Sequence, residues 1–286
     1  SMYEVARYME VNTQGTALLL DILVNEPHGV EKLIVASSFS LYGEGSATCL
    51  ECGPFDPALR DESQLRSGDY EVRCPACGAA ADPVPTPETH PFAPSSIYAI
   101  SKRDQEELCL TIGRAYDLPT VALRYFNVYG PRQALGNPYT GVAAIFSARL
   151  LNDKAPLIFE DGAQSRDFIH VADAVEATLL AMDRPEAAGG VFNIGTGRAT
   201  SVAELAGHIA RALSSDIAPT LVGKYRAGDI RHCVADISRA RAILGFTPRV
   251  PFAEGVADLV AWVRGQEAED RVELATRELD LKGLTR

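Results

Sequence analysis

Apolar positions along this chain repeat with two periods. Residues 3–25, YEVARYMEVNTQGTALLLDILVN, place them at helical spacing and predict one long helix. EKLIVASS, ending at Ser38, is a short β-branched run without alternation, the pattern of a strand buried on both faces of a parallel sheet. PSSIYAISKRDQEELCLTIGRAYD opens on a serine able to cap and predicts a helix running to about Asp117. TVALRYFNV reads as the next strand. PLIFEDG, DFIHV, a helix over 171–183, VFNIG and helices over 201–213 and 252–264 follow. Strands alternating with helices predict an α/β fold, a doubly wound parallel sheet. Pro83, Pro85, Pro87, Pro91 and Pro94 make an extended linker that cannot be helical. The final stretch, GQEAEDRVELATRELDLKGLTR, is a charged face or tail that reads best as a solvated helix, with no functional role assigned.

Composition narrows the possibilities. The 286 residues suffice for one or two domains, and 47% hydrophobic with 23% charged residues is ordinary for a globular protein. A net charge of −11 argues against a nucleic-acid partner, because phosphate binding wants a basic surface. No apolar run reaches the length of a membrane span, and the N-terminus lacks a basic-then-apolar leader. The expectation is a soluble cytoplasmic protein without a membrane partner.

The cysteines change the picture more. Two CxxC pairs, Cys49/Cys52 and Cys74/Cys77, stand 21 residues apart, each followed by a glycine, Gly53 or Gly78. That spacing fits a zinc ribbon, in which four thiolates close a tetrahedral site with no place for a catalytic water. The predicted role of Zn2+ is therefore structural. A redox CxxC would occur once, at the start of a helix, and ordinary disulfides do not suit this compartment. Acidic side chains outnumber basic ones between the pairs, a poor phosphate surface, so the metal is expected to fold a small insert, residues 45–85. Cys109 and Cys233 read as buried free thiols.

Tyr98 lies four residues before Lys102 in the predicted helix, which puts both side chains on one face. A lysine ammonium beside the phenol would draw its pKa toward neutrality and make Tyr98 a general acid or base. Ser38, at the end of a buried strand, could hydrogen-bond the same substrate hydroxyl. A YxxxK pair alone is a weak signal. VFNIGTGRATSVAEL offers a second glycine-rich turn at Gly195 and Gly197, but Thr200 stands at its third position and Asp216 precedes a strand instead of ending one. It reads as a tight turn, not a dinucleotide site.

Taken together, VNTQGTALLL, VASSFSLYG, SSIYAISK, ALRYFNVYGPR, SRDFIHVADAVEA, VFNIGTG and RAGDIRHCVAD resemble the extended short-chain dehydrogenase/reductases of the nucleoside-diphosphate-sugar epimerase/dehydratase group. The resemblance implies a Rossmann-type NAD-binding part over 1–126 and mainly a substrate domain over 127–286. It implies catalysis by Ser38, Tyr98 and Lys102, with all three also at the NAD and Lys102 on the nicotinamide ribose. Asn12 and Phe126 match NAD-contacting positions; Asn127, Arg166, Arg226 and Asp229 match positions that hold the nucleotide-sugar. Arginines suit a diphosphate and an acid suits ribose hydroxyls. The family opens with a strand, a GxxGxxG loop and a helix that take the pyrophosphate. This chain starts at what matches a later helix, so on the order of 80 residues, about three βα units, are expected to precede it in a longer natural protein, which binds the NAD.

In the group, dehydratases and decarboxylases carry acids just after the residue matching Ser38. Here Phe39 and Ser40 stand there, which suits a 4-epimerase; a 4-keto-sugar reductase would use the same three residues. The cysteine insert resembles that of a bacterial epimerase subgroup and points to a dTDP-6-deoxyhexose such as dTDP-L-rhamnose. The insert is expected at the mouth of the active site, fixing Ser38 against Tyr98 or screening the sugar. A homodimer paired through the helices at 3–25 and 96–116 is also implied. Two other classes remain open, a nucleotide-sugar-binding protein without catalysis and a zinc-ribbon nucleic-acid module.

Overall fold

The computed structural model describes residues 2–134, 141–266 and 272–286. Its central sheet is parallel, with Leu33–Ser38 and Val191–Ile194 flanking Thr120–Tyr125. Alternate residues of the middle strand face opposite layers, as the pleat requires. Val121 and Leu123 pack with Ala177 and Ala181 of the Val171–Asp183 helix, while Ala122 packs with Leu20 and Cys109 on the other side. Helices thus cover both faces, the doubly wound arrangement expected from the unbroken apolar strands.

The first helical run comprises Val5–Tyr8, a π-helical stretch Met9–Gln14 and Gly15–Asn25. It lies along the Ile97–Ala115 helix and is pinned to it by side chains. Asn12 Nδ2 donates to Ser101 Oγ at 2.9 Å, Thr13 Oγ1 to Asp104 at 3.0 Å and Gln105 Nε2 to Thr16 Oγ1 at 2.7 Å. Val11, Leu18, Leu19 and Ile22 form an exposed apolar row on the same run. The Ile97–Ala115 helix starts where Ser96 Oγ accepts from the Ala99 amide at 3.1 Å, a cap worth about 1 kcal/mol.

The run TVALRYFNV is broken at Phe126. Thr120–Tyr125 stays in the central sheet, whereas Asn127–Tyr129 pairs in parallel with Phe168–His170. Ser165–Arg166 lies between Thr200–Ser201 and His232–Cys233 in a further small sheet. The second half has its own core, built from helices Val142–Leu151, Val202–Leu213 and Phe252–Val263. The helix over 142–151 is absent from the sequence-based expectations, because its apolar residues run almost without a polar face. Val191–Ile194 returns to the central sheet, so the two halves interleave.

The C-terminal stretch forms the expected solvated helix, Val272–Leu281, and in addition it docks. After the Val272–Leu281 helix the chain turns back and pairs with residues 225–227: Tyr225 N donates to Arg286 O at 3.0 Å, Ala227 N to Leu284 O at 3.0 Å and Arg286 N to Tyr225 O at 3.1 Å. It is docked, not a free tail; its residues 267–271 lie outside the described residues. Among the described residues no helix is long and apolar enough to cross a membrane.

Candidate active site and cysteine centre

Ser38 ends the first strand and caps the Phe39–Leu41 turn, its Oγ accepting from the Ser40 amide at 3.2 Å and the Ser40 hydroxyl at 2.9 Å. Tyr98, in the first turn of the capped helix, reaches it. Burial pushes the Tyr98 phenol above its usual pKa range, and a hydrogen bond with Ser38 pulls the other way. Lys102, on the same helix, is turned to the first strand. Its ammonium donates to the Ala36 carbonyl at 2.8 Å, and desolvation lowers its own pKa. In this arrangement the lysine is tied to the strand, so the phenol is held up by burial instead of drawn toward neutrality.

A buried polar chain fixes strand and helix beneath this pair. Glu106, four residues beyond Lys102, accepts from Ser37 Oγ at 2.5 Å and pairs with Arg124 of the middle strand, Nη2 to Oε1 at 2.5 Å. Arg124 Nη1 donates to Tyr42 Oη at 2.8 Å and to the Glu88 carbonyl at 2.9 Å; Tyr42 in turn donates to Asn193 Oδ1 at 2.6 Å. Removing one partner of such a pair leaves an uncompensated buried charge, at a cost of about 3–5 kcal/mol. Sequence reasoning missed Glu106 and Arg124; a charged residue inside the strand run TVALRYFNV was the available signal.

Asn12 is held by Ser101, beside this centre. Phe126 is 3% exposed, stacked on Phe39 with ring centroids 5.2 Å apart, and both of its backbone polar groups are engaged. It can offer a cofactor only an apolar wall. The turn at Gly195 and Gly197 is filled from within: the buried Asp167 carboxylate accepts from the Thr196 and Gly197 amides, each at 2.8 Å, and from Thr196 Oγ1 at 2.7 Å. A Cβ on Gly195 would sit 2.7 Å from Asp167 Oδ2. With the Thr196 and Gly197 amides taken by a carboxylate, the heart of this turn is closed to a pyrophosphate.

Asn127, Arg166, Arg226 and Asp229 come together. Arg166, Arg226 and Asp229 line two adjoining cavities of about 320 Å³ each; one also has Phe39, Ser40 and Ser96 in its wall, the other Asn127 and Gln164. Asn127 Oδ1 and Gln164 Oε1 are buried with no hydrogen-bond partner among the described residues, so two acceptors at this cavity await donors. Arg226 is exposed and stacks over Phe159 at 4.1 Å. Leu279 and Leu284 of the C-terminal segment complete the walls.

The four paired cysteines also converge. Their Sγ atoms all lie within 4.8 Å of one another, with Cys49 and Cys77 at 3.5 Å. A tetrahedral Zn–S site with bonds near 2.3 Å has S–S edges of about 3.8 Å, so the donor set fits zinc. Gly53 and Gly78 take φ of +84° and +76°, which lets the chain turn sharply after each pair. The amides of Cys77 and Ala76 bring the Cys74 thiol down to about 7. Cys109 and Cys233 are buried elsewhere, with burial raising them to about 11 and 12. Strands Ala47–Cys49, Gly53–Phe55 and Asp82–Pro83 frame the insert.

Of the two roles expected of the insert, its polar contacts lie nearer the second: they run to the loop that carries Asp229, at the cavity wall. Arg60 Nη2 donates to the Asp229 carbonyl at 3.0 Å, and Glu71 pairs with Arg231 and, at 3.2 Å, with His232.

Residues 74–195 match the NAD dependent epimerase/dehydratase family. The dTDP-L-rhamnose 4-epimerase of Burkholderia thailandensis is 33% identical over 263 residues, covering 92% of this chain and 71% of the relative. The UDP-glucose 4-epimerase of Thermotoga maritima, solved with UDP-glucose, superposes with a TM-score of 0.72 at 33% identity, covering 92% of this chain and 72% of that one. MoeE5, solved with UDP-glucose and NAD, gives 0.71 at 30% identity, with coverage of 91% and 73%.

Proposed function

Because this chain belongs to the NAD-dependent epimerase/dehydratase family, we propose that it serves a nucleotide-sugar 4-epimerase acting on a dTDP-6-deoxyhexose such as dTDP-L-rhamnose. The observation that carries this reading is the cavity wall in which Arg166, Arg226 and Asp229 stand with Phe39 and Ser40, next to the Ser38–Tyr98 pair. Arg166 and Arg226 take the diphosphate, Asp229 a sugar or ribose hydroxyl, and the unpaired amide oxygens of Asn127 and Gln164 accept further donors.

Tyr98 exchanges the proton of the sugar C4 hydroxyl, and Ser38 orients that hydroxyl. Lys102 and Asn12 face the nicotinamide end, with Phe126 as an apolar wall. Bound NAD supplies a hydride acceptor and donor and, when oxidised, a positive charge. Inversion at C4 requires the 4-keto sugar to present its other face before the hydride returns. No acid is required for an elimination, consistent with Phe39 and Ser40 at the two positions after Ser38. The four cysteines hold a structural zinc, and the apolar row Val11, Leu18, Leu19 and Ile22 pairs with a second copy in a homodimer.

The test is incubation of the protein with NAD⁺ and a panel of nucleotide-sugars, dTDP-L-rhamnose included, with products read by NMR. A C4 epimer at equilibrium without NADH accumulation is expected. Net oxidation of NADH with a 4-keto sugar would replace the epimerase reading by a reductase.

A further inference from the structure

Three consecutive carbonyls of the loop that carries Asp229 are gripped by guanidiniums. Asp229 O accepts from Arg60 Nη2 at 3.0 Å, Ile230 O from Arg166 Nη2 at 2.7 Å and Arg231 O from Arg166 Nη1 at 2.9 Å. The amides of Arg231 and His232 donate to the buried carboxylate of Glu44, the nearest at 2.7 Å. Arg231 itself is fully buried, and its guanidinium meets Glu160 at 2.8 Å, Asp161 at 2.7 Å and Glu71. Arg60 is nearly as buried and also contacts Glu44 at 3.2 Å, Glu160 at 3.0 Å and the Tyr70 carbonyl at 2.9 Å.

Arg60 and Glu71 belong to the cysteine insert; Arg166 and Asp229 belong to the cavity wall. Arg166 has two tasks, holding the loop and facing the cavity, so its position depends on a loop whose other side the insert secures. We propose that the insert is a positioning element for the nucleotide-sugar loop, with Arg60 and Glu71 as positioning residues that set substrate affinity without touching substrate. This deepens the nucleotide-sugar reading and rests on it. It also gives the metal a purpose: four thiolates hold rigid the segment from which Arg60 and Glu71 reach out.

The experiment is calorimetric titration of the protein with dTDP and with UDP, alongside zinc content, Tm and steady-state kinetics. Arg60→Lys keeps a positive charge for Glu44 and Glu160, but one ammonium cannot also reach the Asp229 and Tyr70 carbonyls. The expected result is retained zinc, a Tm close to that of the parent, about tenfold weaker nucleoside-diphosphate binding, and a KM that rises much more than kcat falls. Glu71→Gln, at a more exposed side chain, is expected to act in the same direction and carries the test if Arg60→Lys loses its metal. Unchanged affinity in zinc-retaining variants, with the parent protein binding normally, overturns the positioning role alone. A parent protein that binds neither dTDP nor UDP overturns the nucleotide-sugar reading and this inference together.

Discussion

At the Ser38–Tyr98 end of the cleft, one buried ion pair, Arg124 with Glu106, carries a chain of otherwise neutral hydrogen bonds through Ser37, Tyr42 and Asn193. At the Arg166–Asp229 end, two buried guanidiniums, Arg60 and Arg231, share four carboxylates drawn from the insert, the Ser38 strand's exit and the 160–161 turn. The first arrangement locks a strand to a helix, both already rigid. The second has to immobilise residues 228–231, which run between two short backbone pairings, of 225–227 with 284–286 and of His232–Cys233 with Ser165–Arg166. Irregular backbone needs side-chain partners for its carbonyls and amides, and here guanidiniums and Glu44 supply them. On the proposed reading, chemistry is thus hung on regular elements, and substrate recognition on a loop made rigid by charge.

The largest effect that separates the two ends is expected from Tyr98→Phe. Loss of the exchanging proton should cut turnover roughly a hundred- to ten-thousand-fold while dTDP binding stays within about twofold, since Tyr98 does not line the two cavities walled by Arg166 and Arg226. Equal loss of turnover and of dTDP affinity would dissolve the division of labour. Cys77→Ser should do the reverse. Cys77 is exposed, so the substitution costs little packing, and any effect reports the metal. Zinc content should fall toward zero, Tm should drop by several degrees and nucleoside-diphosphate affinity should weaken, with a smaller change in kcat than in KM. Zinc loss that left affinity and Tm untouched would make the insert an ornament.

How legible each end was follows from its sequence separations. Tyr98 and Lys102 are one helical turn apart, Ser38 ends an apolar run, and each cysteine pair spans four residues, so a local pattern marks each of them. The central strands announced themselves as unbroken apolar runs and most helices by period, again local patterns. Arg60 meets Asp229 across 169 positions, and Arg231 meets Glu71 across 160, so no local period marks them. The motif resemblance placed Arg166, Arg226 and Asp229 at a common site, yet it was silent on what holds them. The charged C-terminal stretch is the solvated helix its pattern suggested, over Val272–Leu281, but its docking was illegible for a related reason. Its docking rests on backbone pairing of residues 284–286 with 225–227, which composition does not encode. Lys102 marks the limit of the local argument: helical spacing put it on the Tyr98 face, but the Ala36 carbonyl is the partner it found.

The smallest expected effect sharpens the comparison through pH. The His232 ring and then Arg231 hydrogen-bond Glu71 and hold its carboxyl far below the usual range, at about 2, against 4.5 for an unperturbed glutamate. The folded pKa is depressed, so folding binds fewer protons here than the unfolded chain does. The stabilisation is complete above the unfolded value and drains away as pH falls through about 4.5 toward about 2. Glu71 is more than a third exposed, so solvent screening keeps the contribution small. Thermal melts of the parent protein and Glu71→Gln should therefore differ by only a few degrees near neutral pH, with the parent higher, and should converge on acidification within that window. The Ser38–Tyr98 end should not register the change: at neutral pH, where both proteins are folded, their kcat values should stay close and the difference should fall on KM. A Tm gap that persisted unchanged to the acid end of the window would mean that the carboxylate of Glu71 contributes shape and not charge. The insert would then hold the loop through Arg60 by itself.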